Sequence, residues 1–431
     1  MFLQKLKNLF WHLPQSIFFN IVYAFPSRKL TLIGVTGTDG KTTTATLLYH
    51  TLQNAGFKTG LISTIEAKIG DQSQGTGLHT TSPHPHTLQK LFFQMKRADV
   101  THIVCEVTSH ALDQHRFWGC HFFVSLITNT SHEHLDYHQT QDNYVKSKAL
   151  LFSQSTYAVL NKDDPSYKII KKTLSGPSLD YSIKAKSPLQ AKNIKLDHKK
   201  LQFKVKQILF QTDSNYYYQV YNILSAFAVT QKLNLDPKFI LKTIKKFPLT
   251  KGRREKMPNK FGFQTIIDFA HTPAALEKTL SSLKKTTPGR LIVIFGATGG
   301  RDQTKRPQMG KVVSTLANIA LITADDTRNE SVEDINRHII SGINQKKAKT
   351  FPIKEKISPS QIKQIRRLSQ KHFVYLDIPR RQDAFNIAIK LASSQDTVIA
   401  CGKGHETTIL HGKTDYPWSE TEAFRTALNL K

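Results

Sequence analysis

At 431 residues the chain can form two or three domains, each with its own core, and 39% hydrophobic with 22% charged residues is the composition of a folded protein rather than a disordered one. The 61 Lys+Arg against 32 Asp+Glu leave a net charge of +29, which suits nucleic acid, an anionic membrane surface or a polyanionic substrate. Much of that excess sits in scattered lysines such as Lys171, Lys172, Lys199, Lys200, Lys284 and Lys285, which read as solvated surface. Cys105, Cys120 and Cys401 fit no metal spacing or disulfide framework and suit a reducing cytoplasm, and no apolar run nears the roughly eighteen residues of a membrane span.

Residues 1–29 come first. Lys5 and Lys7 precede an apolar stretch with Ile17, Phe18, Phe19, Ile21 and Val22, and Val22-Tyr23-Ala24 has the look of a signal-peptidase site. Pro14, Gln15 and Asn20 interrupt that stretch, which argues against secretion. Two readings stay open, a basic amphipathic segment packed on the protein or one in peripheral contact with a membrane.

From Leu30 a short apolar strand runs into Gly37-Thr-Asp-Gly-Lys-Thr-Thr43, and then into a helical pattern with Leu47, Leu48 and Leu52. Strand, glycine turn and helix N-terminus together make a phosphate cradle. Backbone N–H groups and the helix end face the phosphates, Lys41 adds a point charge, and Thr42 can ligate Mg²⁺. Val35 occupies the place of the first glycine in the strict eight-residue pattern.

Apolar runs at Leu30–Val35, Thr59–Ser63, His102–Val107 and Phe123–Thr128 predict buried parallel strands with crossover helices. Gln190–Gln211 predicts a small β excursion and Tyr221–Leu233 a helix. Pro248-Leu-Thr-Lys-Gly252 reads as a hinge, after which strands at Thr265–Phe269, Leu291–Phe295, Ile319–Thr323 and Thr397–Cys401 predict a second α/β domain. The expected architecture is therefore α/β: a P-loop central domain with a mostly parallel sheet over residues 30–249, then a C-terminal Rossmann-like α/β domain over 250–431.

Glu106 ends an apolar strand, where a carboxylate beside a phosphate loop can hold Mg²⁺. Ten of the eighteen histidines fall between His79 and His138, yet no His-x₃-His set with a carboxylate lies on one predicted helix, so a dedicated zinc site is not the reading.

Taken together, these segments resemble the Mur ligases, ATP-dependent amide-forming enzymes of peptidoglycan synthesis, and among them the type that adds the third peptide residue. The likeness runs from Leu30 to the C-terminus. It rests on the phosphate loop, Glu106-Val-Thr-Ser-His110 with Gln114 and Arg116, Thr128–His138, and Tyr144-Val-Lys-Ser-Lys148. It continues through Asn222, Gly252-Arg-Arg-Glu255, Asp268-Phe-Ala-His-Thr-Pro273, Arg301-Asp302, Lys305-Arg-Pro307, Asp325-Asp-Thr-Arg328 and Gly402-Lys-Gly-His-Glu406.

That resemblance implies roles. Gly37, Thr38, Asp39, Gly40, Lys41, Thr42 and Thr43 would hold ATP, with Asn222 and His271 on the adenine, Asp268 near the ribose and Arg253 on the phosphates. Thr42, Glu106, His134 and a carbamylated Lys148 would serve Mg²⁺, making Lys41, Lys148 and Arg253 the catalytic set. Thr80, Thr81, Thr108, Gln114 and Arg116 would hold a muramyl-peptide acceptor. Arg301, Asp325, Arg328, Gly402 and Glu406 would hold the incoming amino acid, meso-diaminopimelate on the strength of Arg328. A cytoplasmic monomer without nucleic acid is expected.

The family's N-terminal UDP-gripping domain of about a hundred residues has no counterpart in the thirty residues before the phosphate strand. Smaller departures are Thr108 for Ser, Glu133 for Asp, Gln219 for Asn, Thr298 and Gly300 in the glycine loop, and Asp326-Thr327 for Asn-Pro. The competing readings are the same chemistry on a lipid-linked, folate-like or poly-amino-acid acceptor, a basic P-loop ATPase on nucleic acid, and a degenerate membrane scaffold.

Overall fold

The computed structural model describes residues 2–70, 72–74, 81–131, 133–197, 200–214, 216–247, 251–353 and 357–429. The chain divides into two compact units, 1–248 and 249–431. Residues 248–250 of the expected hinge lie outside the described residues.

The first unit is built on eleven strands: β1 (Thr31–Thr36), β2 (Thr59–Ile62), β3 (Ala67–Ile69), β4 (Gln72–Gln74), β5 (His102–Glu106), β6 (Phe122–Ile127), β7 (Ser155–Asn161), β8 (Ser178–Ser182), β9 (Leu189–Leu196), β10 (Leu201–Val205) and β11 (Ile208–Thr212). They form one sheet in the order β11-β10-β9-β8-β7-β6-β1-β5-β2-β3-β4. Its centre, from β2 to β9, is parallel, and antiparallel pairs finish both ends.

The central strands are continuous apolar runs because helices cover both of their faces. On one face Leu47, Leu48 and Leu52 of the helix Lys41–Asn54 pack with Val220, Ile223 and Leu224 of the helix Gln219–Lys232. On the other, Leu88, Leu91 and Phe92 join Phe117 and Leu151. β1 has β5 on one side and β6 on the other, so the chain crosses over in both directions from it. The crevice at the carboxyl end of such a strand is where open α/β sheets bind ligands. The expected β excursion is part of this sheet: β9, β10 and β11 extend it edgewise, with Phe203 stacked on Phe210 at 5.0 Å.

Residues 2–22 are helical, as Phe2–Lys7, a π turn over Asn8–His12, and Leu13–Val22. Its polarity is inverted. Asn8, Ser16 and Asn20 are buried, and Asn20 Nδ2 donates to the Trp118 carbonyl at 2.9 Å.

The second unit has a seven-stranded sheet of β12 (Glu255–Met257), β13 (Gln264–Asp268), β14 (Leu291–Phe295), β15 (Ile319–Ile322), β16 (Ala348–Thr350), β17 (Phe373–Asp377) and β18 (Thr397–Cys401). The order is β12-β13-β18-β14-β15-β17-β16, parallel except for β12. A hairpin of β19 (Thr408–His411) and β20 (Thr414–Pro417) follows. Cys105, Cys120 and Cys401 are all free and buried, and burial pushes their thiols up, Cys120 to about 11.

Candidate active site

At the end of β1 the chain turns through Gly37 and Gly40, both at positive φ (142° and 83°). A Cβ on Gly37 would lie 1.9 Å from Thr128 Oγ1, and one on Gly40 would lie 2.5 Å from Asn222 Oδ1. Only glycine lets the backbone bend this tightly and approach its neighbours this closely. Thr128 and Asn129 lock the loop: Thr38 N donates to the Asn129 carbonyl at 2.8 Å, and Thr128 Oγ1 donates to the Asp39 carbonyl at 2.7 Å.

Two lysines converge here. Lys41 Nζ donates to the carbonyls of Gly37 and Thr38 at 2.9 and 2.8 Å. Lys148, from the helix Gln141–Ser153, donates to the same Gly37 oxygen at 2.9 Å and is 2% exposed. Burial, and then the charge of Lys41, hold the ammonium form of Lys148 well below the usual lysine range. Tyr144, one turn earlier, shares a 2.9 Å hydrogen bond with Thr38 Oγ1.

Glu106 ends β5 opposite Val35 of β1 and is fully buried. Its carboxylate accepts from Thr42 Oγ1 at 3.1 Å, from Thr64 Oγ1 at 3.0 Å and from Thr64 N at 3.1 Å. Thr81 joins through Thr64 at 3.1 Å, whereas Thr80 lies outside the described residues. Thr43 is buried in the first turn of the helix.

His134 sits at φ 58°, 3.7 Å from Glu133 and with its ring 4.8 Å from that of His110. His138 bridges Ser109 Oγ (3.0 Å) and Ser147 Oγ (3.2 Å), and burial brings its pKa down to about 4. Among the described residues no group of three His, Cys, Asp or Glu side chains forms a metal cluster by itself. Any cation here would need further oxygen ligands beyond these side chains, such as the Thr42 hydroxyl beside Glu106.

Three expected acceptor contacts are also structural braces. Thr108 Oγ1 caps the helix Ser109–Asp113 by accepting from Ala111 N. Arg116 donates to Gln114 Oε1 at 3.1 and 2.7 Å and to the Ser82 carbonyl at 2.5 Å, while Ser82 Oγ accepts from Thr108 N.

Asn222 is buried. Its Nδ2 donates to Gln219 at 3.1 Å, and its Oδ1 has no hydrogen-bond partner among the described residues. A buried acceptor without a partner beside a glycine cradle leaves a position that a donor on a bound ligand can fill.

In the second unit Phe269 gathers Arg253 (guanidinium 4.3 Å from the ring centre), His271 (4.7 Å) and His405 (5.0 Å). His271 Nδ1–H donates to the Phe269 carbonyl at 2.8 Å, which fixes the orientation of the ring. Asp268 is committed within the unit: it accepts from Arg254 N and Ala270 N at 2.9 Å each, so it braces the turn that carries Arg253.

A second cluster surrounds Lys403, which is fully buried and was not singled out by sequence reasoning. Its Nζ lies 2.7 Å from Asp326 Oδ1 and 2.5 Å from Glu406 Oε2. Asp325 adds charge from beneath Gly402, whose added Cβ would stand 2.5 Å from its Oδ2. Arg328 (φ 52°) follows in a turn pinned to the β19–β20 hairpin. Thr327 Oγ1 meets His411 Nδ1 at 2.8 Å, and Gly412 N donates to the Arg328 carbonyl at 2.8 Å. Gly300 brings the glycine loop after β14 to Arg328, with its Cβ position 3.4 Å from Arg328 Cδ, and Arg301 follows it as an exposed residue.

Two further buried cations escaped the sequence reading. Arg306 pairs with Glu330 at 2.7 and 2.9 Å, and Arg381 pairs with Glu420 while donating to the carbonyls of Ala324 and Cys401. Their only sequence signal was the Lys305-Arg-Pro307 block for the former.

A phosphate loop with a lysine and threonine, a carboxylate on the adjacent strand and a second α/β unit with a buried charged cluster around Lys403 fit one class, an ATP-dependent, ADP-forming amide ligase. The chain belongs to the Mur ligase family: residues 35–230 match the Mur ligase middle domain and 252–404 the Mur ligase glutamate ligase domain. It is 33% identical over 408 residues to UDP-N-acetylmuramoyl-L-alanyl-D-glutamate--2,6-diaminopimelate ligase 1 of Clostridium acetobutylicum, covering 93% of this chain and 78% of that one. The Aquifex aeolicus ligase of that name is 34% identical, with 94% and 78% covered. A solved ligase of the same name superposes with a TM-score of 0.60 at 25% identity over 93% of this chain and 78% of that one. MurF of Acinetobacter baumannii shares the fold, with a TM-score of 0.68 at 15% identity, 96% and 81% covered.

Proposed function

We propose that this ligase joins meso-diaminopimelate to a muramyl dipeptide during peptidoglycan synthesis, working as a cytoplasmic monomer with MgATP. One observation carries the reading. Relatives that bear this activity in their names align over more than nine-tenths of the chain, and the middle-domain match over residues 35–230 takes in the loop where Lys41 and Lys148 meet.

ATP would bind with its phosphates on Gly37–Thr43, where the backbone N–H groups and Lys41 meet negative charge. The unpartnered Asn222 Oδ1 is suited to a donor on the nucleotide, such as an exocyclic amine. Arg253 and His271, arrayed on Phe269, are the second unit's candidates for nucleotide contact, beside Asp268.

The acceptor carboxylate attacks the γ-phosphorus, giving an acyl phosphate and ADP. The amine of the incoming amino acid then attacks the acyl carbon, and phosphate leaves. Lys41 neutralises the phosphoryl group in transit. Thr42, Glu106, His134 and a carbamylated Lys148 would hold Mg²⁺, which supplies charge neutralisation at the phosphates. Burial lowers the pKa of Lys148 and so favours the neutral amine, the form that takes up CO₂; the carbamate would be an anion that attracts metal where an ammonium would repel it. Thr81, Thr108, Gln114 and Arg116 line the acceptor side. Arg301, Asp325, Arg328, Gly402 and Glu406 serve the amino acid, with Arg328 matched to its distal carboxylate.

The test is ADP release by purified protein with UDP-linked and lipid-linked muramyl dipeptides crossed with meso-diaminopimelate, lysine and glutamate. ADP release only with a muramyl dipeptide plus meso-diaminopimelate is expected. Release with a folate or poly-amino-acid acceptor instead would overturn the acceptor assignment.

A further inference from the structure

The N-terminal helix carries its polarity the wrong way round for a helix that meets water. Asn8, Ser16 and Asn20, spaced at four or eight residues, face the protein and are buried. Asn8 Nδ2 donates to Asp113 Oδ2 at 2.6 Å, and Asn20 Nδ2 donates to the Ser16 and Trp118 carbonyls. The opposite stripe bears Leu3, Leu9, Phe10, Trp11, Phe18, Ile21 and Val22, each 50–81% exposed. A surface helix in water normally shows the reverse pattern, and so contiguous a patch of large apolar side chains marks an interaction surface.

Charge selects the occupant. No acidic residue occurs before Asp39, whereas Lys5, Lys7, Arg28 and Lys29 are basic and exposed. The helix Pro85–Arg97, against which Phe19 and Tyr23 pack through His86 and Phe93, adds exposed Lys90 and Arg97 and half-buried Lys96. An aromatic and aliphatic stripe flanked by basic residues fits the boundary between anionic headgroups and acyl chains. A second copy of this chain would bring the same positive charge to the contact. Twenty-one helical residues span about 30 Å, yet among the described residues no helix is long and apolar enough to cross a membrane. The helix would therefore lie on the bilayer.

From this we infer that the stripe Leu3–Val22 docks the enzyme on an anionic phospholipid surface, with Trp11 and Phe18 inserted and Lys5 and Lys7 at the headgroups. The inference stands independently of which amino acid is ligated.

Co-sedimentation of the full chain with vesicles of phosphatidylglycerol and phosphatidylcholine tests it. Binding should be at least tenfold stronger than to phosphatidylcholine alone and should weaken as salt is raised. Lipids brominated on the acyl chain should quench Trp11, a signal absent from W11F. The variant F10S/W11S/F18S/I21S should lose at least tenfold in vesicle affinity while keeping its thermal unfolding profile, because the replaced side chains are already exposed. K5E/K7E should lose the preference for anionic vesicles. No binding to anionic vesicles by the unmodified chain would overturn the inference, as would unchanged binding by the fourfold variant. A concentration-dependent dimer abolished by that variant, without vesicle binding, would assign the stripe to a second copy instead.

Discussion

Lys41 and Lys148 donate to one acceptor, the carbonyl oxygen of Gly37, each at 2.9 Å. Two ammonium groups on one oxygen repel each other, and the buried one yields: Lys148 is driven toward its neutral form by burial and by Lys41. The pair thus sets the phosphate-loop lysine beside a buried amine that loses its proton more readily than an ordinary lysine.

Lys41→Ala should abolish ligation while leaving the fold intact. The contact it removes is realised mainly on the phosphoryl group in transit, and loss of such a contact costs on the order of a hundredfold or more in rate. ADP-release kinetics and thermal unfolding measured side by side check this. Near-normal turnover would show that the loop has been misassigned.

Lys148 should require CO₂. Activity should fall in degassed, bicarbonate-free buffer and return when bicarbonate is added. Lys148→Ala should be nearly inactive and partly rescued by acetate, which supplies the missing carboxylate. Full activity of Lys148→Ala without bicarbonate would remove this residue from the site.

His138 should make the first unit sensitive to acid. Its pKa is about 4 when folded and about 6.5 when unfolded. Between those values the unfolded chain binds a proton that the folded chain does not. Stability contributed by the neutral ring is therefore complete above pH 6.5, falls as pH drops toward 4, and is level below. The slope is at most ~1.4 kcal/mol per pH unit. His138→Gln keeps hydrogen bonding to Ser109 and Ser147 and should flatten this part of the acid-unfolding curve. An unchanged curve would contradict the burial argument.

The amino-acid preference should follow the turn at Arg328. A guanidinium can bind the distal carboxylate of diaminopimelate bidentately, whereas lysine presents an ammonium there. Arg328→Ala should raise KM for diaminopimelate about ten- to a hundredfold, the usual cost of a charge-assisted hydrogen bond, with a smaller change in kcat. Thr327→Val, which cuts the 2.8 Å bond to His411, should produce part of that loss, and Thr327→Ser, which keeps the hydroxyl, should not. Equal or greater turnover with lysine by the unmodified enzyme would sink the assignment.

The central strands were legible in the sequence because buried parallel strands are unbroken apolar runs: in the second unit Leu291–Phe295 and Thr397–Cys401 match β14 and β18 residue for residue. β4 (Gln-Ser-Gln) and β8 (Ser-Leu-Asp-Tyr-Ser) lack that run, being an edge strand and a half-buried one, and escaped notice. Lys41, Thr42 and Glu106 could be picked out because a local strand–turn–helix motif places them. Lys403 could not, since its partner Asp326 is 77 residues away and only the fold joins them. Asp268 and Thr108 show the converse, polar residues in recognisable motifs whose hydrogen bonds are spent on the backbone. The N-terminal helix was foreseeable from its apolar content, but the direction of its apolar face was not, because that depends on what Asn8 and Asn20 find to bond.

The three cysteines carry a practical consequence. Each is buried with its thiol pushed up, so little thiolate exists near neutral pH and none is exposed to reagent. The folded enzyme is thus a ready background for maleimide chemistry: one cysteine introduced at an exposed site in each α/β unit accepts a dye without deleting the native three. Distances between the two dyes can then be followed through a catalytic cycle in the unaltered active site.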